Sequence, residues 1–307
     1  MQIKPSLLKA LANELARLPQ PVITSYQLGR LIFDAYLTNS IGEEKLSLKK
    51  NIPEKTQYNN VLNSMLGTGV LSKVSGLPGN FFKILGKPEV DADEVICSID
   101  PFCYISHLSA MEYHGITDRL PRIVFVSTPP PSNWRGYAME QMHKDLKENL
   151  NIYIEQRFPL LTRPHPKKIS GKLVEYKNNS HMGAYKIVHG RSLRVSTIGR
   201  TFLDMLREPE LCGGIQHVID VYKEHSKQYL RLILDELDLH GKDIEKVRAG
   251  YILEDQVGIS NPRIDAWQGS VQRGGSRKLD PNNEYSSFFS ERWALSLNLP
   301  SVISNAD

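Results

Sequence analysis

Residues 69–85 limit the fold more than any other stretch of the chain. Gly69-Val70-Leu71-Ser72-Lys73-Val74 reads as a strand, and Phe81-Phe82-Lys83-Ile84-Leu85 as a second one returning. Between them Ser75-Gly76-Leu77-Pro78-Gly79-Asn80 carries two glycines and a proline, the composition of a turn. Three segments of helical periodicity precede this hairpin. The first runs from about Ser6 to Leu18, with Leu7, Leu8, Leu11, Leu15 and Leu18 on one face, and Pro19 and Pro21 end it. The second starts after Thr24 or Ser25, either able to cap it, and buries Leu28, Leu31, Ile32 and Tyr36. A short polar segment, Ile41 to Leu48, leads toward the third, which begins near Pro53 and stops at Gly67.

The third helix sends Tyr58, Val61, Leu62, Met65 and Leu66 to the core. Thr56, Gln57, Asn60 and Ser64 then point outward, flanked by Lys55 and Asn63. Exposed helix faces favour good helix formers such as Glu, Lys and Ala, and three asparagines go against that preference. Asn and Gln are useful where a face reads base edges, because both bond bidentately to adenine in the major groove. Three helices followed by a hairpin is the order of a winged helix-turn-helix, with the hairpin as the wing. Lys45, Lys49, Lys50, Lys55, Lys73 and Lys83 are then the phosphate contacts. The same elements also build protein-binding modules.

Charge separates the two parts of the chain. Residues 1–87 hold eleven Lys or Arg against five acids, a net of +6, so the other 220 residues sum to −2 within the total of +4. A basic first domain suits a polyanion partner. The sequence therefore divides into a winged helix-turn-helix over 1–88 and a larger mixed α/β domain over 95–307, an α+β protein overall.

In the second part, 88–96 reads as an acidic linker or entry strand and Asp100-Pro101 as the start of a helix that ends at Gly115. Strands are expected at Arg122–Thr128, Asn151–Gln156, Lys172–Tyr176, Ala184–His189 and Arg194–Ser196, the third and fourth paired through a polar loop ending at His181. Helices are expected at Ala138–Leu150, Ile198–Leu206 behind a Thr197 cap, Gly214–Glu224, Tyr229–Leu239 and Asp243–Glu254. The stretch from Arg273 to Pro300 reads as loop-rich, with a strand at Trp293–Leu297.

The chain carries no phosphate-loop, dinucleotide-binding, nucleophile-elbow or zinc-protease spacing. His107 and His114, seven apart, share a helix face and read either as two metal ligands or as a core and a helix-end histidine; Glu112 does not share that face. Asp255, Asp265 and Asp280 are the carboxylates a nuclease would draw on, without a short motif tying them. Cys97, Cys103 and Cys212 include no CxxC pair and read as three buried reduced thiols. The expectation is no enzyme, no catalytic residue, no metal and no cofactor. With neither a membrane-length apolar run nor a signal-peptide pattern, it is also a cytoplasmic chain.

Ser106-His107-Leu108-Ser109-Ala110-Met111-Glu112-Tyr113-His114-Gly115-Ile116-Thr117-Asp118 resembles the AbiEi antitoxins of bacterial type IV toxin–antitoxin systems, first known from phage abortive infection. Arg194 to Asp204, Pro209 to Gly214, Lys246 to Gly258 and the ending LDPNNEYSSFFSERWALSLN are similar to further segments of that family. Gly199 departs from it, standing where members usually carry an acidic residue before Arg-Thr. The resemblance implies an N-terminal winged helix that binds double-stranded DNA at inverted repeats upstream of its own operon and represses it. It implies a C-terminal domain opposing a nucleotidyltransferase-like toxin, and no membrane partner. A lone winged helix reads a half-site, so the expectation is a monomer in solution or a dimer on DNA. The alternatives are a DNA-targeted metal-dependent nuclease and a protein-interaction module of a defence system that does not bind DNA.

Overall fold

The structure is a computed structural model that describes residues 5–88, 91–180, 184–271 and 277–299. It is a mixed α/β protein. Helix α1 (Leu7–Arg17) takes its N-cap from the Ser6 hydroxyl. After β1 (Val22–Thr24), helix α2 (Ser25–Thr38) opens on a capping box: the Thr24 hydroxyl accepts the Gln27 N–H and the Gln27 amide oxygen accepts the Thr24 N–H. A two-residue hairpin, β2 (Ser40–Ile41) and β3 (Glu44–Lys45), precedes α3 (Lys55–Gly67). Strands β4 (Leu71–Lys73) and β5 (Phe81–Ile84) then form the expected antiparallel hairpin, and β1 joins its other edge in the order β1-β5-β4.

The next elements depart from the sequence reading. The second half of the acidic 88–96 segment is helical rather than linker or strand, as part of α4 (Ala92–Ile99). Every residue of α4 except Asp93 is buried. Asp100 is the end of α4, not the cap of a following helix; β6 (Tyr104–Ile105) intervenes before α5 (His107–Tyr113). Strand β7 (Ile123–Thr128) stands as expected, while α6 (Pro131–Leu146) starts at the last of the prolines that end it, a residue preset for the first helical turn. Asn151–Gln156 is not a strand: α7 (Leu150–Glu155) buries Leu150 and Tyr153 three residues apart, which overrides the β-preference of its isoleucines. Strand β9 (Lys172–Asn178) pairs with β8 (Lys168–Ile169) rather than with β10 (Tyr185–Ile187), whose neighbour is β11 (Arg194–Ser196). The sequence-expected loop residue His181 lies outside the described residues.

Helix α8 (Ile198–Arg207) is capped by Thr197. The two helices expected between 214 and 239 are one, α9 (Ile215–His240), because the polar stretch around Ser226 contains no glycine or proline and Ser226 itself turns inward, fully buried. Helix α10 (Asp243–Tyr251) runs on into a wider π-type turn over Ile252–Gln256, and a short α11 (Pro262–Ala266) follows. Strands β12 (Phe289–Ser290) and β13 (Leu295–Ser296) close the described chain.

The chain divides into two compact units. The first comprises the described parts of Met1–Tyr104, Ser127–Met182 and Ile187–Arg194. It does not end at residue 88 because its core draws on both sides of that position. Phe33 of α2 meets the Tyr153 and Phe158 rings edge to face at 5.1 and 5.4 Å, and Tyr58 of α3 meets Phe158 at 5.9 Å. Gly29 makes the approach of α2 possible: a Cβ there would stand 2.7 Å from the Tyr153 hydroxyl oxygen and 3.1 Å from Pro159 Cδ. A second knot surrounds Asp100, whose buried carboxylate accepts from the Trp134 indole at 2.9 Å and the Thr128 hydroxyl at 3.3 Å.

The second unit comprises the described parts of Ile105–Val126, Gly183–Lys186 and Val195–Asp307. Strands β11 and β6 run parallel with Val195 opposite Ile105, and the Ser106 N–H donates to Phe125 of β7. Its core is helical, with Phe202, Leu203 and Leu206 of α8 against Val218, Tyr222 and Leu237 of α9. Gly199 sits where α8 presses on α9, and a Cβ there would collide with the Leu232 carbonyl oxygen. The acidic side chain usual in the resembling family has no room at this position.

Gly29→Ala is expected to destabilise the protein by about 1–3 kcal/mol through overpacking, although alanine is the better helix former by about 1 kcal/mol; a denaturant midpoint that rises would refute the close packing at Tyr153. Burial pulls the His114 imidazolium below its ordinary pKa, with Lys186 adding to the effect and the hydrogen bond to the Ser196 carbonyl opposing it. The unfolded chain therefore takes up this proton first as pH falls below about 6.5, and the contribution of neutral His114 is lost downward through that window. His114→Gln is expected to flatten the fall in urea midpoint between about pH 7.5 and 5.5.

Candidate functional site

The outward face of α3 is built by the same turn-by-turn spacing that builds its core. Tyr58, Val61 and Met65 are buried, while Thr56, Asn59, Asn60 and Asn63 are exposed. Those four fall at i, i+3, i+4 and i+7, one continuous stripe. Asn59 belongs to it and is absent from the sequence-derived set, although the spacing alone was enough to include it. Ser64 is half-buried at the margin, and its carbonyl accepts the Thr68 hydroxyl at 2.8 Å.

Gln57 is only partly available. Its amide oxygen accepts the Glu54 N–H at 2.8 Å and the Thr56 hydroxyl at 3.1 Å, so it closes the first turn of α3. Glu54 in turn holds Lys50 at 2.7 Å, which depresses the Glu54 carboxyl below its ordinary range and occupies the Lys50 ammonium. Lys45, Lys49 and Lys55 are exposed. Asn39, in a left-handed conformation at the end of α2, accepts the Leu48 N–H at 3.0 Å and fixes the approach of the lysine-bearing segment.

The hairpin separates its two lysines. Ser72 lies directly opposite Lys83 and Lys73 opposite Phe82, so Lys73 and Lys83 project from opposite faces although both are exposed. The structure thus brings Thr56, Asn60, Asn63 and Lys55 onto one helix, with Lys45 and Lys49 on the segment before it. It does not bring Lys73 and Lys83 to one face. Lys87 is spent on carbonyl oxygens, Ala16 at 2.7 Å and Leu18.

Four of the other candidate groups, His107, His114, Asp265 and Asp280, have structural partners. His107 Nε2 meets Glu208 at 2.8 Å and its Nδ1 meets the Ser106 hydroxyl at 2.8 Å, a line of groups whose serine is fully buried. His114, at the other end of α5, is engaged with Ser196. Asp265 pairs with Arg292 at 2.8 Å, and Asp280 accepts from Asn282 and Asn283 in a turn held by Asn298. Among the described residues no cluster of three His, Cys, Asp or Glu is arranged to hold a metal ion. No described helix is long and apolar enough to cross a membrane.

No family model and no curated protein matches the chain. Among solved structures it is similar to the RV2827C protein from Mycobacterium tuberculosis, at 12% identity and a TM-score of 0.48, over 97% of this chain and 93% of that one. Likeness at that level assigns no function.

The double use of Gln57 separates two effects. Gln57→Ala is expected to cost about 0.5–1 kcal/mol of stability through the lost cap, whereas Asn60→Ala leaves the unfolding midpoint within about 0.5 kcal/mol of the parent. Equal midpoints for the two variants in thermal melts would mean the cap does not form.

Proposed function

We propose that this chain is a cytoplasmic DNA-binding antitoxin and autorepressor whose N-terminal elements work as a winged helix. Helix α3 enters the major groove, the β4–β5 hairpin is the wing, and the protein binds inverted repeats upstream of its own operon. The remainder of the chain opposes a nucleotidyltransferase-like toxin, as the resemblance of the Ser106–Asp118 and Arg194–Asp204 segments to AbiEi antitoxins implies. The observation that carries the reading is the α3 stripe of Thr56, Asn59, Asn60 and Asn63, exposed and followed at once by a lysine-bearing hairpin.

On this reading the side chains take graded roles. Asn60, at the middle of the stripe, reads a base edge, and Asn59 and Asn63 extend the reading along the groove. Lys45, Lys49 and Lys55 meet phosphate with free ammonium groups, and Lys50 does so at the cost of its pairing with Glu54. Only one of Lys73 and Lys83 reaches the same backbone strand, because they project from opposite faces of the wing.

Fluorescence anisotropy against DNA from upstream of the gene, with a shuffled duplex as control, tests this reading. Native DNA is expected to bind more than about tenfold tighter than shuffled DNA. Asn60→Ala is expected to cost about 1–3 kcal/mol on the native site alone. Each lysine removed from the contact set should weaken both duplexes and flatten the salt slope by about one unit. Equal, weak binding to both duplexes would exclude an operator reader.

A further inference from the structure

Two arginines, Arg191 in the turn after β10 and Arg194 at the start of β11, line one pocket of about 270 Å³ in the first unit. Main-chain bonds close the turn: the Val188 N–H donates to the Leu193 carbonyl at 2.9 Å and the Arg191 N–H to the Val188 carbonyl at 3.2 Å. Each guanidinium is held along one edge by the fold. Arg194 donates from Nε to the Cys103 carbonyl at 2.6 Å and from Nη2 to the Cys97 carbonyl at 2.8 Å, while its Nη1 has no hydrogen-bond partner among the described residues. Arg191 donates from Nε to Glu94, a nearly enclosed carboxylate, and its two terminal nitrogens have no hydrogen-bond partner among the described residues. Arg191 is exposed and Arg194 half-buried, so both reach solvent.

The lining is charged with one sign. No Asp or Glu is among the described residues that form it. Glu94, which anchors Arg191, and Asp100, whose carboxylate accepts from Trp134 and Thr128, stand outside the lining. Gln20 and Ser192 add neutral polar groups, and Pro101 and Ile187 add apolar wall. A few polar groups set in an apolar surround is the usual make-up of a small-molecule site. A guanidinium fixed before the ligand arrives also loses little side-chain freedom on binding, which favours affinity.

We propose that this pocket binds a phosphate monoester of a small organic molecule, with Arg191 and Arg194 on the terminal phosphate oxygens. A carboxylate offers two oxygens and a single charge, which one guanidinium fork satisfies. A phosphate monoester offers three terminal oxygens and close to two negative charges at neutral pH, enough for both arginines. The apolar wall then receives the organic group of the ester. The α3 stripe contributes no residue to this pocket, and the site does not rest on the DNA-binding reading.

The test is equilibrium dialysis of the full-length protein in phosphate-free buffer, with phenyl phosphate, inorganic phosphate and benzoate as probes. Phenyl phosphate is expected to bind at one site per chain and inorganic phosphate to compete for it more weakly. Benzoate, with the same ring and a carboxylate, should bind at least about tenfold more weakly than phenyl phosphate. Ser192→Asp puts a carboxylate into the lining and leaves both arginines intact; it should weaken phenyl phosphate by at least about tenfold, and Gln20→Glu should act in the same direction. Arg191→Lys keeps the charge, loses the fork and should weaken it by about fivefold or more. Lys227→Gln, on the exposed surface of α9, should leave it unchanged. Binding that survives both Ser192→Asp and Arg191→Lys lies elsewhere and overturns the proposal. Equal affinities for phenyl phosphate and benzoate, or no phosphate binding at millimolar concentration, would overturn it too. If Arg191→Lys fails to fold by circular dichroism, Ser192→Asp and Gln20→Glu decide the question, because neither alters an anchored guanidinium.

Discussion

Tyr153 donates its hydroxyl proton to the Pro159 carbonyl at 2.7 Å while its ring meets Phe33, Tyr26 and Phe158, and the first unit is organised by that contact. A fully buried tyrosine needs a partner for its hydroxyl, and burial pushes that hydroxyl far above its ordinary pKa, so it stays a neutral donor. The bond sets the height of the ring over α2, and Gly29 is the position at which α2 yields to it. Helices that look like a separate small domain in the sequence therefore share a core with α6 and α7. Tyr26 repeats the device one turn earlier, reaching Asp145 of α6 at 2.7 Å.

Buried and half-buried arginines are the second organising element, each held by oxygen atoms of the fold. Arg194 is spent on three main-chain carbonyls around the Cys97–Cys103 turn. Arg248 serves the second unit in the same way, donating to the Leu206 carbonyl at 2.8 Å and to Lys278 at 3.0 Å. Arg200 and Asp204, one helical turn apart in α8, form an ion pair at 2.7 Å that is almost completely enclosed. Deleting one partner of such a pair is costly because the other is left as a buried charge. These three arginines have structural roles.

The candidate interface on α3 shows how one short helix divides its residues. Tyr58, Val61 and Met65 anchor it, Glu54 and Gln57 start it, and the asparagines are left outward. That economy explains why Gln57 was legible as a polar outward residue but not as a cap. Its role depends on the backbone conformation of Glu54, which no side-chain pattern reports. The opposition of Lys73 and Lys83 was likewise out of reach, since it follows from the cross-strand register and a slip of one residue reverses it.

Local chemistry determined much of the first 85 residues. Proline stops, the Thr24 cap, leucine periodicity and the Gly-Leu-Pro-Gly turn act within a few residues, and the elements they announce stand where expected. The exposed stripe of α3 belongs to the same class, because a 3.6-residue period specifies which side chains share a face. Tertiary structure alone decided the nearly complete burial of α4 and the identity of α7, where packing of Tyr153 overrode β-preference. It alone made α9 continuous and extended the first unit past residue 88. Each of these depends on contacts between residues far apart in the chain, and the free energy of burying such contacts exceeds the few tenths of a kcal/mol, on the order of propensity differences, by which a sequence declares its local preference.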